Sequence, residues 1–294
     1  MLSLEHLAAL WEEHREAAAV KVREFSVGGR FFAFNSAPAI MGVINLSPQS
    51  WYRESVCLTA EKAVERGRVL HAQGAAMVDV GAESTLAHAD RLDSAEQQSQ
   101  LLPVVAGLAA AKIIVSVETY RKEVARASLE AGAKVINLTG MEEADEIFRM
   151  AAEHEAAVVI CYVQGRNVRE VGDFDLENII PAMHEYFSRQ TEAALGRGVE
   201  KIFIDPGLGF YYRNLQDGAL RVKHQINLFV NTFRLRAIGF PVCHALPHAF
   251  DYFGEEVRCA EPFFAVLAAL GKTDLFRTHE VPRIKAVLGA FFAA

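Results

Sequence analysis

Ile40-Met41-Gly42-Val43-Ile44-Asn45 is a short apolar run that ends in a carboxamide and breaks at Leu46-Ser47-Pro48. Residues 59–73 then carry charged and apolar side chains at helical spacing. After them Ala76-Met77-Val78-Asp79-Val80 starts the same pattern again. A brief run of branched apolar residues reads as a strand buried on both faces. The amphipathic stretch after it reads as the crossover helix that lets the next strand lie parallel.

The unit recurs down the chain. Further strands are predicted over 113–117, 134–137, 157–161, 201–204, 240–243 and 274–277, with helices over 95–111, 121–131, 176–197 and 282–292. Eight such units predict an α/β fold of the closed (β/α)8 TIM-barrel type rather than an open doubly wound sheet. No GxGxxG follows the first strand, which weighs against a dinucleotide fold. Upstream, residues 3–19 have helical periodicity through Leu4, Leu7, Leu10 and Trp11. The runs 22–26 and 31–34 flank Gly28-Gly29 as a hairpin would. The expected organisation is an N-terminal helix and β-hairpin cap over 1–36 and a barrel over 37–294.

Composition agrees with a single large core: of 294 residues, 51% are hydrophobic and 23% charged. A net charge of −7 with interspersed signs argues against nucleic-acid binding. The four cysteines, Cys57, Cys161, Cys243 and Cys259, form no CxxC pair and are expected as reduced thiols. Neither a signal peptide nor a membrane span is legible, so a cytoplasmic protein is expected.

In a barrel the chemistry sits at the C-terminal ends of the strands. Six predicted strands end there in polar groups: Asn45, Asp79 with Glu83-Ser84-Thr85, Glu118, Asn137, Asp205, and Arg277 with His279. Asp79, Ser116 and Thr119 serve equally well as helix caps. Glu118, Asn137 and Asp205 have the acceptors and donors to hold an aminopyrimidine-like edge. Arg277, His279 and Asn45 suit a phosphate or diphosphate with a divalent cation.

These strand ends resemble the dihydropteroate synthase family of pterin-binding barrels. Met41-Gly42-Val43-Ile44-Asn45 is similar to the family's opening signature, and residues 78–85 to its DxGGEST segment. Ser116-Val117-Glu118-Thr119 is similar to SVDT, and Ile136-Asn137 to IND. Val163-Gln164-Gly165 is similar to the end of MHMQG, residues 204–210 to LDPGxGF, and Arg277-Thr278-His279-Glu280 to RVHD. The resemblance implies a homodimeric transferase of folate biosynthesis that joins a dihydropterin diphosphate to p-aminobenzoate with Mg2+. It implies that Asp205, Asn137 and Glu118 hold the pterin. It implies that Asn45, Arg277 and His279 hold the diphosphate, with Asn45 on the metal and Ser84 and Thr85 in the diphosphate loop.

The chain departs from the pattern on the acceptor side. The arginine of STRPG is absent after Thr85. Cys243-His244-Ala245-Leu246-Pro247-His248 stands where SRKS is usual, so its lysine is replaced, with Lys223 and Lys272 as candidate substitutes. His244 and His248 are expected as solvent-facing loop residues, because no third metal ligand is legible. Trp51, Tyr52, Tyr211 and Tyr212 are candidates to stack on a flat ligand. Two alternatives share the pterin edge: a pterin-dependent methyltransferase, and a non-catalytic pterin-binding paralogue.

Overall fold

The structure is a computed structural model that describes residues 2–293 apart from 51, 85–88, 171, 174, 175, 177 and 211. Two short helices, α1 (Leu4–Glu13) and α2 (Arg15–Ala19), lead into an antiparallel hairpin of β1 (Phe25–Val27) and β2 (Arg30–Phe32). Strands and helices then alternate: β3 (Ala39–Asn45), α3 (Ala60–Gln73), β4 (Met77–Gly81), α4 (Ser94–Ala110), β5 (Val115–Thr119), α5 (Lys122–Glu130), β6 (Val135–Leu138) and α6 (Ala144–Glu153). They continue through β7 (Ala157–Cys161), α7 (Ile179–Gly196), β8 (Ile202–Asp205), α8 (Gly218–Leu235), β9 (Cys243–Ala245), α9 (Phe250–Phe253), α10 (Ala260–Leu270), β10 (Leu275–Thr278) and α11 (Val281–Phe291).

The eight later strands pair in parallel in the order β8-β7-β6-β5-β4-β3-β10-β9. A parallel bridge between Ile204 and Val242 brings the two ends together, so the sheet is a nearly closed barrel. Thr59 caps α3 through the amide of Lys62, and Asp93 with Glu96 forms a reciprocal capping box on α4. Both caps fix the helix starts within one residue of the apolar periodicity.

Two apolar layers hold the barrel. Outside, Val80, Val117, Ile136, Ile160 and Ile204 pack beneath helix residues such as Leu108, Phe148, Phe187 and Phe229. Inside, Met41, Met77, Val135, Phe203 and Leu275 fill the N-terminal half of the cylinder. The hairpin plugs that same mouth. Phe25 and Phe34 meet Phe203 edge-on at 5.1 and 5.4 Å. Burying each ring contributes about 1.5–3 kcal/mol. Arg236 ties the cap down, donating to Asp274 Oδ1 at 3.1 Å and to Asn35 Oδ1 at 3.2 Å. The opposite mouth, where the strands end, stays open.

The seventh barrel strand lies later than its apolar run suggests. The Val242 amide donates to the Asp274 carboxylate at 2.8 Å, so the ladder with β10 begins only at Cys243. Among the described residues no helix is long and apolar enough to cross a membrane. All four cysteines are free thiols.

Candidate functional site

The open mouth holds a cleft lined by Asn45, Ser84, Glu118, Asn137, Asp205, Arg277 and His279. The predicted strand-end residues outside the masked segment therefore meet in one place. Thr85 lies outside the described residues. Ser84 is buried, and its hydroxyl donates to the Gln49 carbonyl at 3.3 Å.

Register explains the convergence. Glu118 on β5 pairs with Asn137 on β6 and Gly81 on β4, so the two polar side chains share one layer. Gly81 has no side chain to fill the space beside the Glu118 carboxylate. Asp205 ends β8 opposite Cys161, and Arg277 lies opposite Ala245.

Asp79 organises the centre and does not cap a helix. It is fully buried and accepts from the Ser116 hydroxyl at 2.5 Å, Asn137 Nδ2 at 3.1 Å and Arg277 Nε at 2.8 Å. Arg277 Nη2 also donates to Glu118 at 2.7 Å. Two of the five guanidinium N–H bonds are thus spent on buried carboxylates. Arg277 is bound to the buried acids Asp79 and Glu118, where the sequence reading placed it with an anion alone.

The charges shift accordingly. Burial pushes the Glu118 carboxyl up to about 7, with Arg277 opposing and Asp79 adding to the rise. Burial also lifts Asp205 to about 6, against the Gly207 amide that donates to its Oδ1 at 2.7 Å. Burial lowers the hold of Arg277 on its proton, but Asp79 and Glu118 outweigh this and raise it above its usual range. The Cys161 and Cys243 thiols are pushed well up by burial, so neither is a thiolate. Cys161 instead donates weakly to Asn137 Oδ1 at 3.4 Å. Three acids around one arginine leave an acceptor-rich pocket floor, suited to a heterocycle edge carrying several N–H groups.

A second edge is built from Asn45, His279, His248 and Tyr52. Asn45 Nδ2 donates to Ser55 Oγ at 2.6 Å and lies 3.4 Å from His279 Nε2. The Tyr52 ring stacks on His279 at 4.5 Å and on His248 at 5.2 Å, while its hydroxyl donates to Glu280.

A family model described as pterin-binding enzyme matches residues 41–245 of this chain. The chain belongs to the pterin-binding enzyme family. It is 31% identical over 86% of its length to a dihydropteroate synthase of Streptococcus pyogenes serotype M18, covering 94% of that protein. It is 27% identical to the dihydropteroate synthase of Synechocystis sp., covering 87% of this chain and 89% of that one. The solved dihydropteroate synthase of Xanthomonas albilineans with 4-aminobenzoic acid superposes with a TM-score of 0.77 at 26% identity, covering 93% of this chain and 98% of that chain.

In this pterin-binding enzyme the acceptor-side expectations need correction. His244 is not solvent-facing: it is fully buried with Nε2 2.8 Å from Thr232 Oγ1, and burial drives its pKa down to about 3. His248 faces the cleft and meets Glu261 and His279. Lys272 donates to the Ala18 carbonyl under the cap, at the wrong mouth for a site residue. No lysine lines the cleft among the described residues; its second cation is Arg221, held by Asp251 at 2.5 Å. Tyr212 is buried and donates to the Tyr162 carbonyl rather than stacking in the cleft. Trp51 and Tyr211 lie outside the described residues.

Sequence reasoning overlooked Arg169 and Glu261. Arg169 is buried on the loop after β7 and donates to the carbonyls of Ser84 and Ala89 (2.6 Å for the latter). Nothing local marks it. Glu261 does carry a signal: it is a lone acid in the apolar stretch Ala260–Leu270.

Proposed function

We propose that the protein is a transferase of the dihydropteroate synthase type, joining a dihydropterin diphosphate to p-aminobenzoate or a related amine in folate biosynthesis. The observation that carries the reading is the single cleft in which an acid-rich floor and the Asn45–His279 edge adjoin. Asp205, Asn137 and Glu118 hold the pterin by its N–H edge. Asn137 contributes one N–H to Asp79 and keeps a second N–H and a free carbonyl lone pair for the ring. Asn45, Arg277 and His279 receive the diphosphate as the methylene carbon–oxygen bond breaks and its electron pair moves to the leaving oxygen. The amine lone pair forms the new carbon–nitrogen bond, and the amine proton is lost to solvent or to the departing diphosphate. The diphosphate edge favours this reading over a methyltransferase, which needs none.

A Mg2+ ion accords with Asn45. Its amide nitrogen is occupied by Ser55, so the carboxamide oxygen is the atom left to a cation. One protein oxygen is too few alone, and the diphosphate and waters would complete the shell. Bound there, the ion neutralises charge on the leaving group. Cytoplasmic location and a homodimer belong to the same proposal. The exposed Phe263, Val266 and Leu270 of α10 form an apolar face of the kind that subunits cover.

The test is release of pyrophosphate from the pterin substrate with p-aminobenzoate and Mg2+, together with calorimetric binding of the dihydropterin alone. The Asp205→Asn variant should bind the pterin about 10–100-fold more weakly, the loss of one charge-assisted hydrogen-bond set. Equal binding by that variant removes the pterin assignment. Intact pterin binding without turnover on any amine leaves the non-catalytic paralogue.

A further inference from the structure

Glu261, second residue of α10, is fully buried, yet its only cationic partners among the described residues are histidines. Its carboxylate accepts from the Thr278 hydroxyl and from the amides of His279 at 3.1 Å and Glu280 at 3.2 Å. Its Oε1 also meets two imidazole nitrogens, His279 Nδ1 at 2.8 Å and His248 Nε2 at 3.3 Å. Those nitrogens face each other at 3.3 Å. One proton on each ring satisfies the carboxylate but leaves the two nitrogens turned toward one another. A single cation satisfies all three atoms.

We propose that His248, Glu261 and His279 form a binding site for one divalent transition-metal ion of the zinc type, set in the wall of the cleft. The donors come from the loop after β9, the start of α10 and the end of β10. Their triangle has edges of 2.8, 3.3 and 3.3 Å. Bonds of about 2.1 Å place neighbouring ligands about 3.0 Å apart in an octahedral shell and about 3.4 Å apart in a tetrahedral one, so the two 3.3 Å edges lie in range and the 2.8 Å edge opens by about 0.2 Å to admit an ion. Two imidazoles and one carboxylate select zinc-like or ferrous ions over Mg2+, which takes oxygen donors.

Orientation makes the site open. His248 and His279 line the cleft while Glu261 lies behind them, so the remaining coordination positions face the ligand space. This ion is distinct from the Mg2+ assigned to Asn45 and does not require the transferase reading to hold.

The test uses the whole protein, stripped with a chelator and titrated with Zn2+ alone. One equivalent should bind. Co2+ in its place should give visible d–d bands characteristic of nitrogen and oxygen ligation. His248→Ala, a partly exposed residue whose loss leaves the Glu261–His279 contact intact, should weaken Zn2+ binding at least 100-fold and abolish the Co2+ bands. His279→Ala should do the same. Failure of the stripped protein to bind a stoichiometric ion, or unchanged affinity in both variants, overturns the proposal. Dihydropterin binding by the stripped protein, measured in parallel, separates that failure from a failure of the transferase reading.

Discussion

Replacing Arg277 by methionine keeps an unbranched apolar stem and deletes the charge shared by Asp79 and Glu118. Both carboxylates are deeply placed, at 0% and 13% side-chain exposure. Removing one partner of a buried pair costs about 3–5 kcal/mol, because the charge left behind has no solvent to turn to. Glu118 can relieve the loss by taking up a proton, since it already sits at about 7 against an ordinary 4.5. Without the guanidinium its pKa rises further. The folded variant then holds more protons than the folded wild type between pH 6 and 8, while the unfolded chains titrate these acids alike. Destabilisation must therefore grow with pH, by up to about 1.4 kcal/mol per unit for each extra proton. Urea unfolding followed by circular dichroism at pH 6 and pH 8 measures both quantities. The expected result is a loss near the full 3–5 kcal/mol at pH 8 and a clearly smaller one at pH 6. Adding Glu118→Gln should recover part of the pH 8 loss. A loss below about 1 kcal/mol at pH 8, or one independent of pH, would refute the account of Arg277 as counter-ion to the pocket floor.

Pterin affinity should rise from pH 5 to 8, by up to about tenfold per unit for one proton released, as Asp205 near 6 and Glu118 near 7 ionise; a flat calorimetric profile would contradict their role as acceptors. Gly207→Ala should cost about 1–3 kcal/mol and weaken pterin binding. At φ +76 a Cβ meets the Tyr162 carbonyl at 2.5 Å, displacing the amide that orients Asp205. At the other mouth, Arg236→Met strips Asp274 of its counter-ion and should lower stability by about 3–5 kcal/mol. Pterin affinity should stay within about twofold, since conserving the N-terminal face concerns stability; a larger change would mean the cap communicates with the site.

The barrel was legible because each strand is a short apolar run followed by a stretch of helical periodicity, with caps such as Thr59 and Asp93 marking some starts, and these signals are local. Strand ends were legible for the same reason: Asn45, Glu118, Asn137, Asp205 and Arg277 interrupt apolar runs at the point where a barrel exposes its chemistry. Partnership was not legible. Asp79 looked like a cap because a cap and a buried counter-ion are both aspartates at a strand end. What distinguishes it is Arg277, far along the chain and brought near only by closure of the sheet. His248 and His279 also lacked a visible third member, since Glu261 lies on a helix between them in sequence and meets them only when α10 packs against β10. The start of β9 was misplaced because the Asp274 side chain takes the Val242 amide, a contact no propensity encodes.

The same distinction separates the two sides of the cleft. The acid-rich floor of the cleft is carried on strands, where Glu118, Asn137 and Asp205 are placed by ladder register, and a one-residue slip would turn every one of them outward. Substitution there is constrained by the fold itself. The facing wall is carried on the loops after β3, β8 and β9, through Tyr52, Phe210, Leu246, Pro247 and His248. Loops move and exchange residues without disturbing the barrel. That wall presents aromatic and imidazole groups beside Arg221 and, among the described residues, no lysine, so the proposed amine acceptor should be selected by stacking and a guanidinium. A panel of aromatic amines, with and without a carboxylate to pair with Arg221, should therefore separate by that carboxylate. Indifference to it would move the acceptor away from Arg221 and toward the Tyr52–His248 side of the cleft.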